Sequence, residues 1–410
     1  MRVPPHGAYM ADRRLCMIVH GDYPDDVRVA REVRAARAAG FLVDVVATRG
    51  PGDTPHETIG GATVHRLSVS RKRGAGAIRF VVEYVLFTFL ATVYVARIAL
   101  RRRPDIVQVH NPPDFLIAAA LLPKLLGARL IFDVHDLSSD MFAMRFGDRP
   151  GLKLADAILR FVERAACRLA DAVVTVHEPY RAELGRRGVD VQQVLVVLNS
   201  VDEAVLPAEP RAPSRDPFRI VYHGTVTPHY GLHLVLDAFA LLSEPLSAAT
   251  LEIFGNGDAV SALQSRADSL GLAPRVAVNG VTLPQAEVLR LVQGASVGVI
   301  PNLPSKLNRF ALSTKLFEYV ALGIPVVAAD LPTLRSHFSD AEILFFDAGS
   351  AESLAETLAS VADDYDAALE RARAAKARYH GAYEWRLQAD KYAALLTSLA
   401  NNSGSGRRSE

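Results

Sequence analysis

Short apolar runs alternate with helical periodicity along most of the chain, which is the pattern of strand–helix–strand units. In the first half, the runs predict strands at residues 15–19, 41–47, 106–109, 129–134, 172–176 and 194–198. A helical stripe over 27–39, closed by Gly40, links the first two strands, and another over 115–126 ends at Gly127. Because βαβ units favour parallel sheets, we expect a doubly wound α/β domain.

A second series of the same kind begins at residue 218. Its predicted strands are 218–222, 250–254, 275–278, 297–301 and 325–329, and helices are predicted over 232–242, 361–378 and 385–399. The preceding stretch, 206–217, contains four prolines and few apolar residues, so it is predicted to be an interdomain linker. A chain of 410 residues is also too long for one ordinary core.

These patterns predict the following organisation. A Rossmann-like domain covers 1–205, and a second one covers 218–380. A C-terminal helix within 381–400 packs back toward the first domain, and the polar tail 401–410 is disordered.

Residues 71–103 combine an apolar and aromatic stretch, 80–100, with basic clusters at 71–73 and 101–103. Glu83 and Arg97 interrupt the stretch, and the uninterrupted part, 84–96, is too short to span about 30 Å of hydrocarbon. The pattern favours a helix lying in a membrane interface and attracted to anionic lipid. A buried helix of the first domain is the alternative.

Composition and charge narrow the class of protein. The chain is 50% hydrophobic and 22% charged with a net charge of +1, which argues against a disordered protein and against a nucleic-acid partner. Lys and Arg outnumber Asp and Glu by 28 to 23 in residues 1–205, whereas they are outnumbered 18 to 22 in the rest. Cys16 and Cys167 have no metal-type spacing, and residues 1–14 lack a signal-type apolar run, so we expect a cytoplasmic protein.

The segment 312–330 carries the most informative candidate chemistry. Ser313 or Thr314 caps a short helix, whose first N–H groups and positive dipole end form a possible anion site. Lys315 adds a cation, and the Glu318 carboxylate, one turn further on, can accept hydrogen bonds from a vicinal diol such as a ribose. An amphipathic helix with a solvated Lys and Glu is the alternative.

Polar loops follow several of the predicted strands. Gly224 and Gly231 allow close backbone approach, which would suit a diphosphate, although glycines often serve only as turn residues. His135 ends a strand, where side chains point into the crevice of such a sheet; a core histidine is the alternative. Asp133 and Asp136 resemble a metal pair, but strand alternation separates them, so no metal is predicted.

The motifs at 314–327, 223–231, 254–257 and 132–136, taken together, resemble the retaining glycosyltransferase family 4. The resemblance implies the GT-B architecture, two Rossmann-like parallel-sheet domains that face a cleft. It also implies a nucleotide-diphosphate sugar as co-substrate, retention of anomeric configuration, and no metal or other cofactor.

Roles for individual residues follow from this resemblance. His135 and Glu318 are the implied catalytic residues, with His135 at the transferred sugar and Glu318 at the donor ribose. The implied donor-binding residues are Gly224, Thr225, Tyr230, Gly231, Gly255, Asn256, Gly257, Ser313, Thr314, Lys315, Leu316 and Glu318. The implied acceptor-side residues are Gly21, Asp22, Tyr23 and His110.

The chain also departs from the family pattern. Phe310 stands where the first glutamate of the Glu-x7-Glu motif usually lies, and Thr225 and Tyr230 replace a common Arg and Lys. Lys306 and Arg309 are possible cations for the phosphates.

These observations lead to a hypothesis. The chain is predicted to transfer a sugar, from a UDP-sugar by default or GDP-mannose next, to a lipid-linked or cell-surface glycan acceptor. It would do so at the anionic inner face of the cell membrane. A sugar-nucleotide epimerase and a non-catalytic, degenerate transferase that binds or scaffolds are the alternatives.

Overall fold

The structure, a computed structural model, describes residues 13–50, 52–69, 77–146, 153–243, 246–305, 308 and 310–404. Contacts divide the chain into two compact units, Met1–Leu198 with Gln388–Glu410, and Asn199–Leu387. The change of unit comes at Asn199, earlier than the boundary predicted at 205. The stretch predicted as a linker lies on the second unit, where the Arg211 N–H donates to Gln293 Oε1 at 3.1 Å.

The first unit is built on an eight-stranded sheet with the order β3-β4-β2-β1-β5-β6-β7-β8. Its strands are β1 Arg14–Val19, β2 Leu42–Thr48, β3 His56–Ile59, β4 Ala62–Leu67, β5 Ile106–His110, β6 Arg129–Val134, β7 Ala172–Thr175 and β8 Val194–Val196. All pairs are parallel except β3 with β4. This hairpin was not predicted, although Gly60 and Gly61, both at positive φ, are a strong two-residue turn signal.

Helices connect these strands. They are α1 Val27–Ala38, α2 Ala77–Arg102, α3 Leu121–Leu125, α4 Ser138–Phe146, α5 Lys153–Leu169 and α6 Glu178–Arg186. The helix predicted over 115–126 is a 3₁₀ segment, Asp114–Ala120, followed by α3. Pro123 lacks an N–H and is tolerated only in a first turn, so a new helix starts here and no regular helix runs through.

The second unit has a six-stranded parallel sheet with the order β11-β10-β9-β12-β13-β14. Its strands are β9 Arg219–His223, β10 Thr250–Phe254, β11 Val276–Val278, β12 Val297–Ile300, β13 Val326–Ala329 and β14 Leu344–Phe346. Its helices are α7 Leu232–Leu241, α8 Val260–Ser269, α9 Gln285–Val292, α10 Thr314–Leu322, α11 Pro332–His337, α12 Ala351–Asp363 and α13 Tyr365–Arg378. The single helix predicted over 361–378 is wrong, because Asp364 leaves helical geometry and caps α13 by accepting from the Ala367 N–H.

The last helix, α14 Trp385–Gly404, begins in the second unit and belongs to the first from Gln388 onward. The Tyr392 hydroxyl donates to Gln108 Oε1 inside the first unit. The disordered tail predicted from residue 401 is wrong for 401–404, because Arg13 Nη2 donates to Asn401 Oδ1 at 2.6 Å and holds this last turn. The remainder of that tail, 405–410, lies outside the described residues.

Helix α2 has a buried side and an exposed side, and both are largely apolar. The buried side packs in the first unit and carries Phe87, Ala91 and Val95 together with one charged residue, Glu83. Within the described part of the chain, α2 is the one helix long and apolar enough to cross a membrane by length and composition, over Val81–Arg102, and 28% of that window is buried. The buried-helix alternative therefore describes only its inner side.

Removing the Tyr392 hydroxyl is expected to destabilise the first unit. In Tyr392→Phe, Gln108 Oε1 would stay buried without its donor, which costs about 1–3 kcal/mol. Urea unfolding followed by circular dichroism measures this. An unchanged midpoint would show that the Tyr392–Gln108 hydrogen bond does not contribute measurably to the stability of the first unit.

Candidate active site

In the second unit, the side chain of Lys315 lies across Gly224, which directly follows β9. A Cβ added at Gly224 would be 2.5 Å from Lys315 Cε and 3.1 Å from Nζ, and the glycine has a φ of +115°. A side chain at this position would therefore displace the lysine. The sequence prediction that Gly224 and Lys315 act at one place is consistent with this contact.

The ammonium group of Lys315 lies in a largely buried aromatic environment. Nζ is 4.7 Å from the ring centroid of Tyr230, 5.1 Å from that of Tyr222 and 3.5 Å from Ser313 Oγ. Burial lowers the pKa of Lys315 to about 8, and the nearby Glu318 carboxylate partly opposes the shift. Because α10 begins at Thr314, this cation stands at the positive end of a helix, an arrangement suited to an anion.

Glu318 is buried, with 3% of its surface exposed, and its carboxylate accepts one hydrogen bond and lies close to an imidazole. Oε1 accepts from Gln285 Nε2 at 2.5 Å, and Oε2 lies 3.1 Å from His223 Nε2. Burial lowers the pKa of His223 to about 4, so this imidazole is neutral at pH 7. The sequence interpretation assigned a role to neither partner; His223 stands in a recognised motif, whereas Gln285 carries no local signal.

Three predicted donor-site glycines are required by backbone packing. A Cβ added at Gly255 would lie 1.8 Å from Gly224 O, and one added at Gly257 would lie 2.0 Å from Val226 O. A Cβ added at Gly231 would lie 2.1 Å from Pro301 O. The loops after β9 and β10 therefore touch backbone to backbone. Within the second loop, Asn256 Oδ1 accepts from the Gly257 N–H at 2.7 Å. Their contact with a nucleotide stays a prediction.

The other predicted donor residues surround the start of α10. Ser313 is its N-cap residue but makes no side-chain cap hydrogen bond, Thr314 and Leu316 belong to the first turn, and Leu316 is fully buried. Thr225 is exposed beside Gly224. Phe310, in the place of the family's first glutamate, is 6% exposed. Lys306 and Arg309 lie outside the described residues.

In the first unit, His110 and His135 meet on one carboxylate at the carboxyl ends of β5 and β6. Asp133 Oδ2 lies 2.9 Å from His110 Nδ1 and 2.8 Å from His135 Nε2, and the two nitrogens are 3.1 Å apart. All three side chains are buried. Although burial opposes ionisation, the two histidines hold the pKa of Asp133 well below its usual range, while burial lowers the pKa of His110.

A second layer of polar groups supports this cluster. Gln108 Nε2 donates to Asp133 Oδ2 at 3.2 Å and to Glu32 Oε2 at 2.6 Å. Burial, reinforced by the Asp133 charge, raises the pKa of Glu32 well above its usual value. Asn111 Oδ1 accepts from the backbone N–H of His135 at 2.8 Å. The sequence interpretation missed Glu32 and Gln108, although a glutamine inside an apolar strand and a glutamate on the buried side of α1 are both visible signals.

The cluster also has the composition of a metal site. One ligand atom from each of His110, Asp133 and His135 lies within 4.8 Å of the others, and two imidazoles with a carboxylate suit divalent transition metals. The ligand atoms that could bind a metal are the same atoms that form the hydrogen bonds between the two histidines and the Asp133 carboxylate. The metal pair considered from the sequence is not formed as such, because the carboxylate of Asp136 faces Arg28 Nη1 at 3.9 Å.

The three remaining acceptor-side residues form the turn after β1. Asp22 Oδ1 accepts from Thr48 Oγ1 at 2.9 Å, and Gly21 O accepts from the Thr48 N–H at 3.1 Å. Tyr23 is buried, and its carbonyl accepts from Arg66 Nη2 at 2.7 Å. These bonds give the turn a structural role, and contact with an acceptor stays a prediction.

Comparison with solved structures defines the class of this fold. Sucrose-phosphate synthase from Thermosynechococcus elongatus aligns with a TM-score of 0.74 at 16% identity, over 94% of this chain and 99% of that one. Anabaena HepE in complex with UDP-glucose aligns with a TM-score of 0.70 at 13% identity, over 94% and 99%. The two parallel-sheet α/β domains are those of the GT-B glycosyltransferases.

Two family models match consecutive parts of the chain, a glycosyl transferase 4-like domain at residues 26–200 and glycosyl transferases group 1 at 208–379. Glycogen synthase from Mycobacterium tuberculosis is 28% identical over 202 residues, 48% of this chain and 47% of the relative. Phosphatidyl-myo-inositol mannosyltransferase from Mycobacterium leprae is 29% identical over 176 residues, 43% and 45%. The matches thus span about half the length of these curated relatives. The chain belongs to the family 4-like, group 1 glycosyltransferases, which confirms the resemblance identified in the sequence.

Two alanine substitutions should distinguish a glycine that packs against the backbone of a neighbouring loop from a glycine with open space around it. Gly257→Ala would place a Cβ 2.0 Å from Val226 O and is expected to cost about 3 kcal/mol, which lowers the melting temperature of the second unit by about 6–12 °C. Gly271→Ala, at a φ of +68° with no atom within 4 Å, should cost only about 1 kcal/mol. Differential scanning fluorimetry compares the two, and equal shifts would argue against the loop packing.

Proposed function

We propose that the protein is a retaining glycosyltransferase that moves a sugar from a nucleotide-diphosphate sugar to a lipid-linked or cell-surface glycan acceptor, without a metal. The observation that carries the proposal is the placement of Lys315 across Gly224 at the N-terminus of α10. A largely buried cation and the positive end of the α10 dipole would supply positive charge for a diphosphate without a divalent ion.

The donor would extend from this point toward Glu318. Its carboxylate would accept hydrogen bonds from the ribose hydroxyls, while the hydrogen bond from Gln285 keeps it in place. UDP is our first choice of nucleotide, since a structural neighbour was solved with UDP-glucose. GDP-mannose is the second choice, and a mannosyltransferase among the relatives supports it.

In the transfer step, the acceptor oxygen forms a bond to the anomeric carbon as the bond from that carbon to the diphosphate breaks. The acceptor proton passes to the departing phosphate oxygen on the same face of the sugar. Lys315 and the α10 N-terminus stabilise the negative charge that develops on the diphosphate. His135, held by Asp133, positions a hydroxyl of the transferred sugar.

The proposed acceptor and location rest on the outer side of α2. Seven large apolar side chains of α2 are exposed: Val81, Val82, Val85, Leu86, Phe89, Val93 and Leu100. The helix ends in Arg101 and Arg102, which suits the anionic inner face of the cell membrane. A lipid-linked acceptor would be met there.

One observation favours a second function. Phe310, buried where the family has a glutamate, is compatible with a chain that binds a nucleotide sugar without transferring it. The test is incubation with UDP-glucose, UDP-N-acetylglucosamine and GDP-mannose, with and without membrane lipids and with a chelator. Sugar transferred to lipid or water supports the transferase, epimerised donor without acceptor indicates an epimerase, and binding alone indicates the non-catalytic protein.

The pKa of Lys315 predicts how nucleotide binding depends on pH. Its amine is charged below a pKa of about 8, and a bound diphosphate would raise that pKa. Affinity for UDP should therefore be level below about pH 7, be about halved at pH 8, and fall further as pH rises, by about tenfold or more at pH 9.5. Isothermal titration calorimetry measures this. Lys315→Met should bind weakly with no such fall, while the control Lys391→Met should behave as wild type; a fall retained in Lys315→Met would exclude Lys315 as its source.

Substitutions at Glu318 and His135 should separate binding from transfer. Glu318→Ala is expected to weaken nucleotide binding about tenfold or more, because the ribose loses a charged acceptor. His135→Ala should leave nucleotide affinity within about twofold and lower transfer at least about tenfold. Calorimetry and radiolabelled transfer report the two quantities. Unchanged affinity in Glu318→Ala would remove the ribose assignment, and full activity in His135→Ala would remove its role.

A further inference from the structure

Exposed apolar side chains in the first unit extend well beyond α2. Among the described residues, eighteen large apolar side chains are exposed, of which seven lie on α2, three at α3 and its C-cap, and three on α5. Those of α5 are Leu154, Ile158 and Phe161, with 71%, 53% and 66% of their surface exposed. Single exposed apolar residues are ordinary, but this concentration on three helices marks an interaction surface.

Helix α5 has an exposed apolar stripe on the side opposite its buried side. Leu154, Ile158 and Phe161 are spaced four and three residues apart and share one side of the helix. On the opposite side, Glu163, Ala166 and Cys167 are buried in the unit. Most of the outer stripe is therefore exposed to solvent, and its apolar character requires an explanation other than core packing.

Basic residues lie along one flank of this outer stripe. At 100° per residue, Lys153, Arg160, Arg164 and Arg168 fall between the outer and the buried stripes of α5. Arg160 is paired with Asp156 at 2.9 Å, while Lys153 and Arg168 are exposed. An apolar stripe beside a basic flank is the pattern of a helix that lies in the surface of an anionic bilayer.

The three helices are neighbours in one layer. They lie on the successive connections from β4 to β5, β5 to β6 and β6 to β7, which advance in one direction through the sheet order. Right-handed crossovers place such connections on the same side of a sheet. The 3₁₀ segment Asp114–Ala120, which leads into α3, contacts both α2 and α5. The apolar side chains therefore belong to one outer helical layer, formed by α2, α3 and α5.

In α2 and α5, the exposed apolar side chains lie mostly near the edge of the sheet that carries His110 and His135. Glu83, in the first half of α2, lies 3.2 Å from His20, which directly follows β1. The outer stripe of α5 likewise occupies the first half of that helix, the half nearer the carboxyl ends of the strands. Apolar surface and candidate catalytic cluster thus share one end of the unit.

We propose that Leu154, Ile158 and Phe161 form a second lipid-contacting surface, in the same outer helical layer as that of α2. The occupant is an anionic lipid bilayer, as the basic flank of α5 and the basic end of α2 indicate. The proposal deepens the membrane association under the proposed function and rests on it. Docking through two helices fixes the orientation of the first unit, with the His110–His135 edge next to the lipid head groups.

Co-sedimentation of the full chain with phosphatidylcholine–phosphatidylglycerol vesicles tests the proposal. L154S/I158S/F161S should bind at least about tenfold more weakly than wild type, because three apolar side chains no longer enter the interface. V82S/V85S/F89S, on α2, should lose binding to a similar degree. The matched control L241S/L270S/V281S changes three exposed apolar residues of the second unit, 56%, 38% and 48% exposed, and should bind as wild type.

A fluorescence measurement reports the contact directly. Cys16 and Cys167 are buried, so an environment-sensitive thiol label can be directed to Ile158→Cys. Its emission should shift to the blue when vesicles are added, whereas the same label on Val281→Cys should not respond. This readout does not depend on how well the triple variant folds.

The outcomes separate the two proposals. If the α2 variant loses binding while the α5 variant and the label at residue 158 behave as controls, the second surface is refuted and membrane association stands. If wild type does not bind the vesicles, both fall, while transfer to a soluble acceptor would still establish the transferase. A lipid-free dimer in sedimentation velocity that the α5 substitutions abolish would assign the surface to a second copy and overturn the proposal.

Discussion

The buried carboxylate of Asp133 is the constraint on which the first unit depends. An ionised group removed from water is stable only if neighbours replace its hydration. Two imidazoles and the Gln108 amide do so, and Gln108 in turn is held by Glu32 and Tyr392. Because these groups come from β5, β6, α1 and α14, satisfying one charge ties four elements together at the end of the sheet where His135 is presented.

The second unit also buries a charged group, in this case the positively charged ammonium group of Lys315. Burial costs Lys315 part of its affinity for a proton, and the nearby Glu318 carboxylate only partly restores it. The protein therefore neutralises only part of the positive charge of Lys315. The negative charge of an incoming diphosphate would neutralise the rest. The glycines at 224, 255 and 257 are what bring the loops close enough for this arrangement. Loop packing and the proposed anion binding would therefore both depend on one backbone geometry.

The sequence predicted features that depend on local pattern, and it missed those that depend on distant partners. Strand and helix positions, His135 and the Lys315–Glu318 pair follow from periodicity and motif spacing. Gln285 is far from Glu318 in sequence, so no local pattern could pair them. Asp364 shows another limit, since a helix of strong helix-forming residues is interrupted by a cap that competes for the backbone. The β3–β4 hairpin, in contrast, carried a readable signal at Gly60 and Gly61.

Helix α2 shows why hydropathy alone cannot decide between a buried and a lipid-facing helix. Glu83 breaks the apolar run in the sequence, yet it faces inward and contacts His20, so it does not interrupt the outer side. Arg97 does lie outside, but near the basic end of the helix, where a long side chain reaches the head groups. A charge on an apolar helix is therefore informative only once its direction is known. In α2 both charges are compatible with a helix that packs on a protein core on one side and on lipid on the other.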